Sequence, residues 1–584
     1  MGGIAFAVYA ITAHPSLPAG DSGELITVAH SLGVAHPPGY PLYTLLGYVW
    51  SHVPGFESVA YRMNLFSAAC AAVAAAVLAS AVLTFTRSRA AALCAGGLAA
   101  FAVPVWKYAV VAEVFALNDL LAALALWAFT AAVAAPERRF PPILFAFLGS
   151  LFLAHHHSLV LVLLPLAVAW LVPGRGARPR FVRPWAPMAA AFLAGLLPLA
   201  HLPLAAGVGS GPVWGEPDTA SGFLHLVLRG DYGTLRLDPA EAGFREAAGH
   251  PAIFLRSVPG DLTPLGTGLA LVGLVALLLR RRGTGLALLG FALLQWAFFT
   301  RIHFPPHPPV YLGVVERFYA LPLLVSAFAA GVGAAAVLRP LRPRAQRAAG
   351  LVLCAGCLAW PLLAHFGEAD QRGNSFTRDL AGNVLASLPA DAVLFSRGDL
   401  FHNALSYMIR VEGRRPDVVV VDQELLTYPW YVERIRTRHP GLLPDFGAAG
   451  RYDGSPATAN VRWIDHLRGR RPVAFLGLKE HSYRGRYELR VRGMVAVARP
   501  VGEPADPRAA CETALDLLAA MRFEPLDRAY DPTSFEAQER RRFLGALEHA
   551  AAALDHPECR DLDPRHPGRR VLERRRRLPS GAER

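Results

Sequence analysis

Lysine is almost absent from this chain: Lys107 and Lys479 are the only two, and arginine supplies the rest of the 58 basic residues. Charge of either sign is scarce. Only 18% of the 584 residues are charged, against about a quarter in soluble proteins, which excludes a wholly soluble chain. No G-x-G-x-x-G or Walker A sequence occurs, so no nucleotide site is expected. Cysteine is limited to Cys70, Cys94, Cys354, Cys357, Cys511 and Cys559. The first four lie in apolar blocks, and Cys354 with Cys357 lacks the His or further Cys of a zinc site. Cys511 and Cys559 are able to pair, a question that spacing leaves open.

What the chain has in excess is apolar. Hydrophobic residues make up 53% of it, mean hydropathy is +0.32, and the excess comes in blocks rich in Ala, Leu and Val. A spanning helix needs about 20 apolar residues. Blocks occur near 62–85, 90–105, 109–134, 141–155, 157–172, 186–206, 265–279, 284–300, 318–337 and 348–365. Residues 3–13 supply about half a span without the basic start of a signal peptide, which predicts a thin first helix or one beginning upstream of Met1. Arginines Arg87 and Arg89, Arg138 and Arg139, Arg175–Arg183, Arg280–Arg282 and Arg339–Arg347 fall in every second loop. Placing those loops in the cytoplasm satisfies the positive-inside bias and gives about 11 spans. The net charge of +13 then reflects topology, and no nucleic-acid partner is expected.

The opposite loops, 14–61, the Trp106-Lys107 turn, His155–His157, 207–263 and 301–316, together with everything beyond about 366, fall on the outer face. They collect the acids and histidines, so function is expected there. Within 14–61, the half-apolar segment Leu42 to Val53 is expected along the membrane surface. The expected fold is thus a polytopic α-helical membrane domain over 1–366, with an extracytoplasmic α/β domain over 367–500. A helical hairpin at 501–560, built from 508–522 and 533–556, and a basic disordered tail at 561–584 complete it. In the α/β part, Ala392–Phe395, Val418–Val421 and Val473–Leu476 read as strands, with helices at Asn403–Val411 and Tyr428–Arg438. That alternation predicts a parallel sheet. Asp399 and Asp422 follow its first two strands, where ligands bind such sheets and where acids also cap the next helix.

Asp21-Ser22-Gly23-Glu24 stands out, with His36-Pro37-Pro38-Gly39-Tyr40-Pro41 a dozen residues on. Positions i and i+3 share a helix face, so both acids can address one pocket beside a membrane; equally, they can cap a helix starting near Ser22. An outer-face transferase needs an energised donor that arrives in the membrane, such as a polyprenyl-phosphate sugar. In an inverting transfer one carboxylate deprotonates the acceptor hydroxyl while cations steady the leaving phosphate. Asp21 suits the base. Glu24 would orient it, bind the acceptor or help hold a divalent metal if one is used. Candidate donor-phosphate and substrate contacts are His36, His155, His156, Arg301, His303 and Arg317, with His307 and His157 beside them. Arg317 follows Glu316, so an ion pair competes with the phosphate role. Three consecutive histidines cannot all face one ion on a helix, and no metal ligands are assigned. Lys107 pairs with Glu113 or snorkels.

Asp21-Ser22-Gly23-Glu24 and Val34-Ala35-His36-Pro37-Pro38-Gly39-Tyr40-Pro41-Leu42 resemble the opening signature of a large family of bacterial membrane proteins of the GT-C glycosyltransferase type, which includes an animal transmembrane protein O-mannosyltransferase. Arg62-Met63-Asn64-Leu65, Glu113-Val114-Phe115-Ala116-Leu117-Asn118, His155–His157, Trp214-Gly215-Glu216-Pro217, Glu316-Arg317-Phe318-Tyr319, Gly398-Asp399 and Arg415-Pro416-Asp417-Val418 agree as well, so the likeness runs to about residue 495. Trp214-Gly215-Glu216-Pro217 departs in carrying Glu where the pattern has Asp. The resemblance implies a GT-C fold and a first outer loop with the catalytic acid Asp21 beside Glu24. It also implies a polyprenyl-phosphate-linked donor, with mannose among the candidate sugars and a protein or glycan hydroxyl as acceptor. A bacterial inner membrane location follows. The competing classes are a transporter or lipid flippase, disfavoured because charged groups gather at one face, and a non-catalytic envelope assembly protein.

Overall fold

The computed structural model describes residues 1–55, 58–171, 184–208, 211–233, 249–302, 304, 308–446, 459–559 and 562–576. The chain forms two compact units, Met1–Pro15 with Val28–Gly373, and Ser16–Thr27 with Asn374–Arg584.

The first unit is helical and apolar, and the chain is a multi-pass membrane protein. Among the described residues seven helices are long and apolar enough to cross a membrane: Val59–Thr86, Phe115–Ala134, Trp185–Val208, Thr263–Arg280, Arg282–Phe299, Val310–Leu338 and Pro343–Ala369. Their outward side chains are hydrophobic, with Leu363 77% and Leu279 73% exposed, which is tolerable only in lipid. About 11 spans were expected; by length and composition the described residues hold seven such helices, or eight if the pair Arg89–Phe101 and Val103–Ala109 is one span. That pair is bent by 63° at Ala102, where Pro104 lacks the N–H that would continue the helix and its ring crowds the carbonyl four residues back. Gly2–Thr12, Phe140–Ala154 and His157–Trp170 are apolar but short. Close packing uses small residues in the way of membrane helices. A Cβ on Gly273 would lie 1.8 Å from the Ala329 carbonyl oxygen, so the helices Thr263–Arg280 and Ala320–Leu338 meet backbone to backbone.

The expected surface segment Leu42 to Val53 is the helix Pro41–Ser51. Before it, Val34 forms a β-bridge with Val213. Val34 N–H donates to Pro212 O at 2.8 Å, Trp214 N–H donates to Val34 O at 3.0 Å, and His201 Nε2–H donates to Gly33 O at 3.0 Å. The Trp214 indole in turn donates to Asp231 at 2.8 Å. Asn64 donates to His14 O at 2.7 Å and so pins the end of the first helix.

The second unit holds a five-stranded sheet of order β2-β1-β3-β5-β4. Its strands are β1 Val393–Ser396, β2 Val419–Asp422, β3 Val473–Leu476, β4 Tyr487–Arg492 and β5 Val495–Pro500. β1 runs parallel to β2 and β3. These short β-branched and aromatic runs are buried throughout, apart from Val420, as parallel strands must be when both faces are covered. Phe395 stacks on Trp463 at 4.4 Å in the core beneath them. β4 and β5 form an antiparallel hairpin on β3, an addition to the expected parallel sheet. The expected helices are Asp399–Arg410 and Pro429–Arg438, and those of the hairpin region are Pro507–Ala520 and Phe535–Leu554. Cys511 and Cys559 are disulfide-bonded. The expected disordered tail is instead helical over Pro567–Arg576, because Leu572 is buried and Gly568 packs on the backbone of Leu515.

Candidate active site

The acid pair belongs to the second unit. Leu25 N–H donates to Asp21 O at 2.9 Å, which makes Asp21 the residue capping the helix Ser22–Ser31 and Glu24 a residue of its first turn. The capping position foreseen as an alternative is therefore occupied, and it is compatible with chemistry: unpaired N–H groups and the helix dipole favour negative charge there. The segment is fixed from two sides. The Asn403 side-chain amide donates to Gly20 O at 3.4 Å, and a Cβ built on Gly20 would touch the Phe535 ring at 3.4 Å. At Gly23 a Cβ would fall 2.5 Å from the Asn403 carbonyl oxygen. Only glycine allows the acid-bearing helix to lie this close to the helix Asp399–Arg410. Leu25 and Ile26 are buried behind it.

Next to Asn403, His402 is enclosed by charged groups. Its Nδ1 lies 3.9 Å from Asp422 Oδ2, and Tyr431 packs edge-on to the ring at 6.5 Å. Asp422 is itself fixed, its Oδ1 accepting from the Glu424 and Leu425 N–H groups at 2.7 and 3.1 Å. This is the capping role weighed for an acid at the end of a strand. Burial pushes the His402 pKa down and Arg410 adds to this, while Asp422 and Glu24 oppose the shift.

The cationic and histidine candidates belong to the first unit, where a run of rings joins most of them. His36 meets Trp214 at 6.4 Å and Tyr40 at 5.2 Å. Tyr40 meets His155 at 6.3 Å and stacks on His156 at 6.1 Å. His156 contacts Phe115 and Phe318 at 5.4 and 6.1 Å, and the Arg317 guanidinium lies over Phe115 at 5.8 Å. Motifs separated by nearly 300 residues thus converge. Arg317 Nε donates to Val314 O at 2.9 Å, and Glu316 accepts from Lys107 at 2.7 Å. Lys107, for which pairing with Glu113 or snorkelling was expected, contacts Glu316 at 2.7 Å and Glu368 at 3.7 Å. Arg301 is exposed in the turn after Arg282–Phe299. His303 and His307 lie outside the described residues.

His155, His156 and His157 are neutral at neutral pH. Burial lowers His155 to about 4. His156 is lowered well below the ordinary value by burial first, and further by His155, Arg229, His157 and Arg317. His155 Nε2–H donates to Val114 O at 3.1 Å, which leaves Nδ1 as an acceptor, buried and without a hydrogen-bond partner among the described residues. His156 Nδ1 accepts from Ser158 N–H at 3.2 Å, so its proton sits on Nε2 and is available to an oxygen ligand. The positive charge that acts on His156 comes from Arg229 and Arg317.

The model of the TMEM260 protein O-mannosyl-transferase N-terminal domain matches residues 21–176, and that of TMEM260-associated domain 2 matches 377–440. Two stretches of the chain thus match domain models of the TMEM260 family. It is 36% identical to mouse protein O-mannosyl-transferase TMEM260 over 451 residues, 75% of this chain and 64% of that protein. It is 28% identical to the Dictyostelium discoideum protein of the same name over 466 residues, 73% of this chain and 56% of that one. The chain spans less than two thirds of either relative. In three dimensions it resembles ArnT from Cupriavidus metallidurans, solved with undecaprenyl phosphate, at TM-score 0.52 and 13% identity, covering 86% of this chain and 98% of that one. The fold is GT-C-like, as expected.

The first TMEM260 match begins at Asp21 and runs past the histidine tract; the second contains His402, Asn403 and Asp422. Residues that sequence reasoning missed are Arg229, whose charge acts on His156 and His157, and His402. Arg229 lies in no TMEM260 motif quoted above, and only its position after the Trp214 stretch hinted at it. His402 had a better signal, being six residues past strand β1 and three after the recognised Gly398-Asp399. Among the described residues no three His, Cys, Asp or Glu side chains gather as metal ligands.

Proposed function

We propose that this protein is a membrane glycosyltransferase that moves a sugar, mannose being the first candidate, from a polyprenyl-phosphate donor to a hydroxyl of a protein on the extracytoplasmic face. The observation that carries the reading is the acid pair Asp21 and Glu24, rigidly presented at a helix N-terminus where the TMEM260 match begins. The names of the mouse and Dictyostelium relatives support the reaction class, and ArnT with its undecaprenyl phosphate supports the carrier. The alternation of arginine-rich loops supports an outward-facing 14–61 loop and C-terminal unit, in a bacterial inner membrane. Domain limits of 1–366, 367–500 and 501–560 belong to the same reading.

In the proposed step the acceptor oxygen attacks the anomeric carbon and the new C–O bond forms with inversion. The bond from that carbon to the phosphate oxygen breaks, and its electron pair leaves with the polyprenyl phosphate. Asp21 takes the hydroxyl proton. Glu24 orients Asp21 or the acceptor. Arg317 and Arg229 offset charge on the departing phosphate, His156 Nε2–H offers it a neutral hydrogen bond, and His36, His155 and Arg301 remain candidate substrate contacts. The test is Asp21→Asn, which keeps size and removes the base. Transfer from synthetic undecaprenyl-phospho-mannose to a threonine-rich peptide is expected to fall by about 100- to 10,000-fold at normal expression. Undiminished product would end the assignment of Asp21.

A further inference from the structure

The second unit holds a cleft of about 100 Å³ whose lining includes none of the candidate site residues. Three separate pieces of chain build it: the helix Phe376–Ser387, the loop after Asp399–Arg410, and the chain leaving Pro507–Ala520. The helix contributes Arg378, Asp379, Gly382 and Asn383, two pairs spaced i and i+4 that share one face. The loop contributes Arg414, and the third piece contributes Arg522. Three arginines against one aspartate leave two positive charges unbalanced in the lining.

The main chain around these arginines is fixed while their tips stay unbonded. Buried Asn383 accepts from Arg522 N–H at 2.9 Å and donates to Arg522 O at 2.8 Å. Arg414 N–H donates to Met408 O at 3.0 Å, and its neighbours Gly413 and Arg415 both take left-handed backbone, at φ 66° and 47°. Arg415 ties this loop to the end of the helix, donating to the carbonyls of Leu385, Leu388 and Pro389 at 2.7, 3.1 and 2.7 Å. By contrast, Arg378 Nε stands 3.6 Å from Glu412 and Arg522 Nη1 stands 3.9 Å from Asp379, both beyond hydrogen-bond length. Among the described residues none of the three guanidiniums donates a hydrogen bond, although each carries five N–H donors. A Cβ on Gly382 would lie 3.6 Å from Arg414 Nη1, so the glycine keeps the space beneath that guanidinium open.

We propose that this cleft binds a phosphate group, carried by a soluble phosphomonoester or by a lipid headgroup. A carboxylate presents two oxygens in one plane, and a single arginine fork satisfies it. Guanidiniums arriving from a helix, a loop and a chain end surround a tetrahedral anion instead, and two unbalanced positive charges match a phosphate that is nearly a dianion at neutral pH. The site stands apart from the transferase reading and does not depend on it.

Calorimetric titration of the full chain in detergent with inorganic phosphate tests it, at about 0.15 M salt, where distant surface charges are screened. Every protein titrated carries Arg229→Ala and Arg317→Ala, which remove the arginines proposed for the donor phosphate. Saturable binding is expected, weakened about 10- to 100-fold by Arg414→Ala and by Arg522→Ala, the scale of a lost charge-assisted hydrogen bond. Gly382→Leu, which fills the cleft and removes no charge, abolishes it; if that chain does not fold, the two arginine variants decide. Arg508→Ala, which removes an exposed arginine paired with Glu512 outside the lining, leaves the affinity within about twofold. No saturable binding, or an affinity as indifferent to Arg414→Ala and Arg522→Ala as to Arg508→Ala, would overturn the proposal. Acetate binds more weakly than phosphate, and the reverse order would overturn the class assigned. Glycerol 3-phosphate and micelle-borne phosphatidic acid separate the two sources: both lose affinity in Arg414→Ala, and the tighter of the two identifies the carrier.

Discussion

Gly23→Ala is the most discriminating single substitution, because two effects of opposite sign compete and the geometry says which wins. In an exposed helix the change would stabilise by up to ~1 kcal/mol, since alanine is the better helix former. Here the new methyl would lie 2.5 Å from the Asn403 carbonyl oxygen, 2.6 Å from its carbon and 3.0 Å from the Ala404 nitrogen. Carbon contacts are comfortable near 3.5–4.0 Å, so one helix must retreat by about 1 Å. All three atoms are backbone, and no side-chain rotation relieves them. Overpacking of this kind costs about 1–3 kcal/mol, and with three backbone contacts at once the upper end applies, leaving a net loss of about 2 kcal/mol once the propensity gain of ~1 kcal/mol is subtracted. At roughly 2–4 °C per kcal/mol for a unit of about 200 residues, thermal unfolding of the purified chain should shift down by several degrees. Transfer should fall further than stability, because a displacement of about 1 Å at the acid pair can cost up to a hundredfold. Asn403→Ala should not rescue the variant, since the obstacle is the main chain. A Gly23→Ala protein as stable and active as the parent would show that the segment does not rest on this helix.

Three further outcomes follow from the geometry. His155 is depressed in the folded chain from the ordinary 6.5 to about 4, so the stability it contributes is complete above pH 6.5 and drains away as pH falls toward 4; His155→Gln should flatten that part of a thermal-unfolding profile, and an unaltered profile would refute the assignment. Arg229→Ala and Arg317→Ala should each raise the donor KM by about 10- to 100-fold, the scale of a lost charge-assisted hydrogen bond, while an unphosphorylated lipid competitor should bind both variants as it binds the parent. Reducing Cys511–Cys559, which closes a loop with a sequence separation of 48, should cost about 3–4 kcal/mol, read as a drop in the unfolding midpoint with dithiothreitol that Cys559→Ser reproduces without reductant.

The parts of the fold that were legible share one property: local sequence carries their period. Val473–Leu476 reads as a strand and is one, and the long apolar blocks are helices. The expected span count exceeds the long apolar helices where the chain is apolar without being long, at Gly2–Thr12, Phe140–Ala154 and His157–Trp170, and where Pro104 breaks a continuous apolar run. The β4–β5 hairpin was overlooked although Tyr487-Glu488-Leu489-Arg490-Val491-Arg492 alternates apolar and charged residues as a half-exposed strand does. The basic run near Arg570 looked disordered because charge repulsion was visible and the buried Leu572 was not weighed. At the site, acids and rings could be nominated from motifs. Their surroundings could not: the neutrality of His155 follows from burial, and the partnership of Gly23 with Asn403 spans 380 positions, a relation no window of sequence contains.

The grouping of Ser16–Thr27 with the C-terminal residues has a practical corollary. Those twelve positions are covalently stitched at both ends into the apolar unit, so no single cut liberates either body whole. A soluble fragment started at residue 374 would expose the bed on which Gly20 and Gly23 rest, while the remaining piece would carry Leu25 and Ile26 uncovered. Swapping this tail between homologues should therefore succeed only when the short amino-terminal insert travels with it.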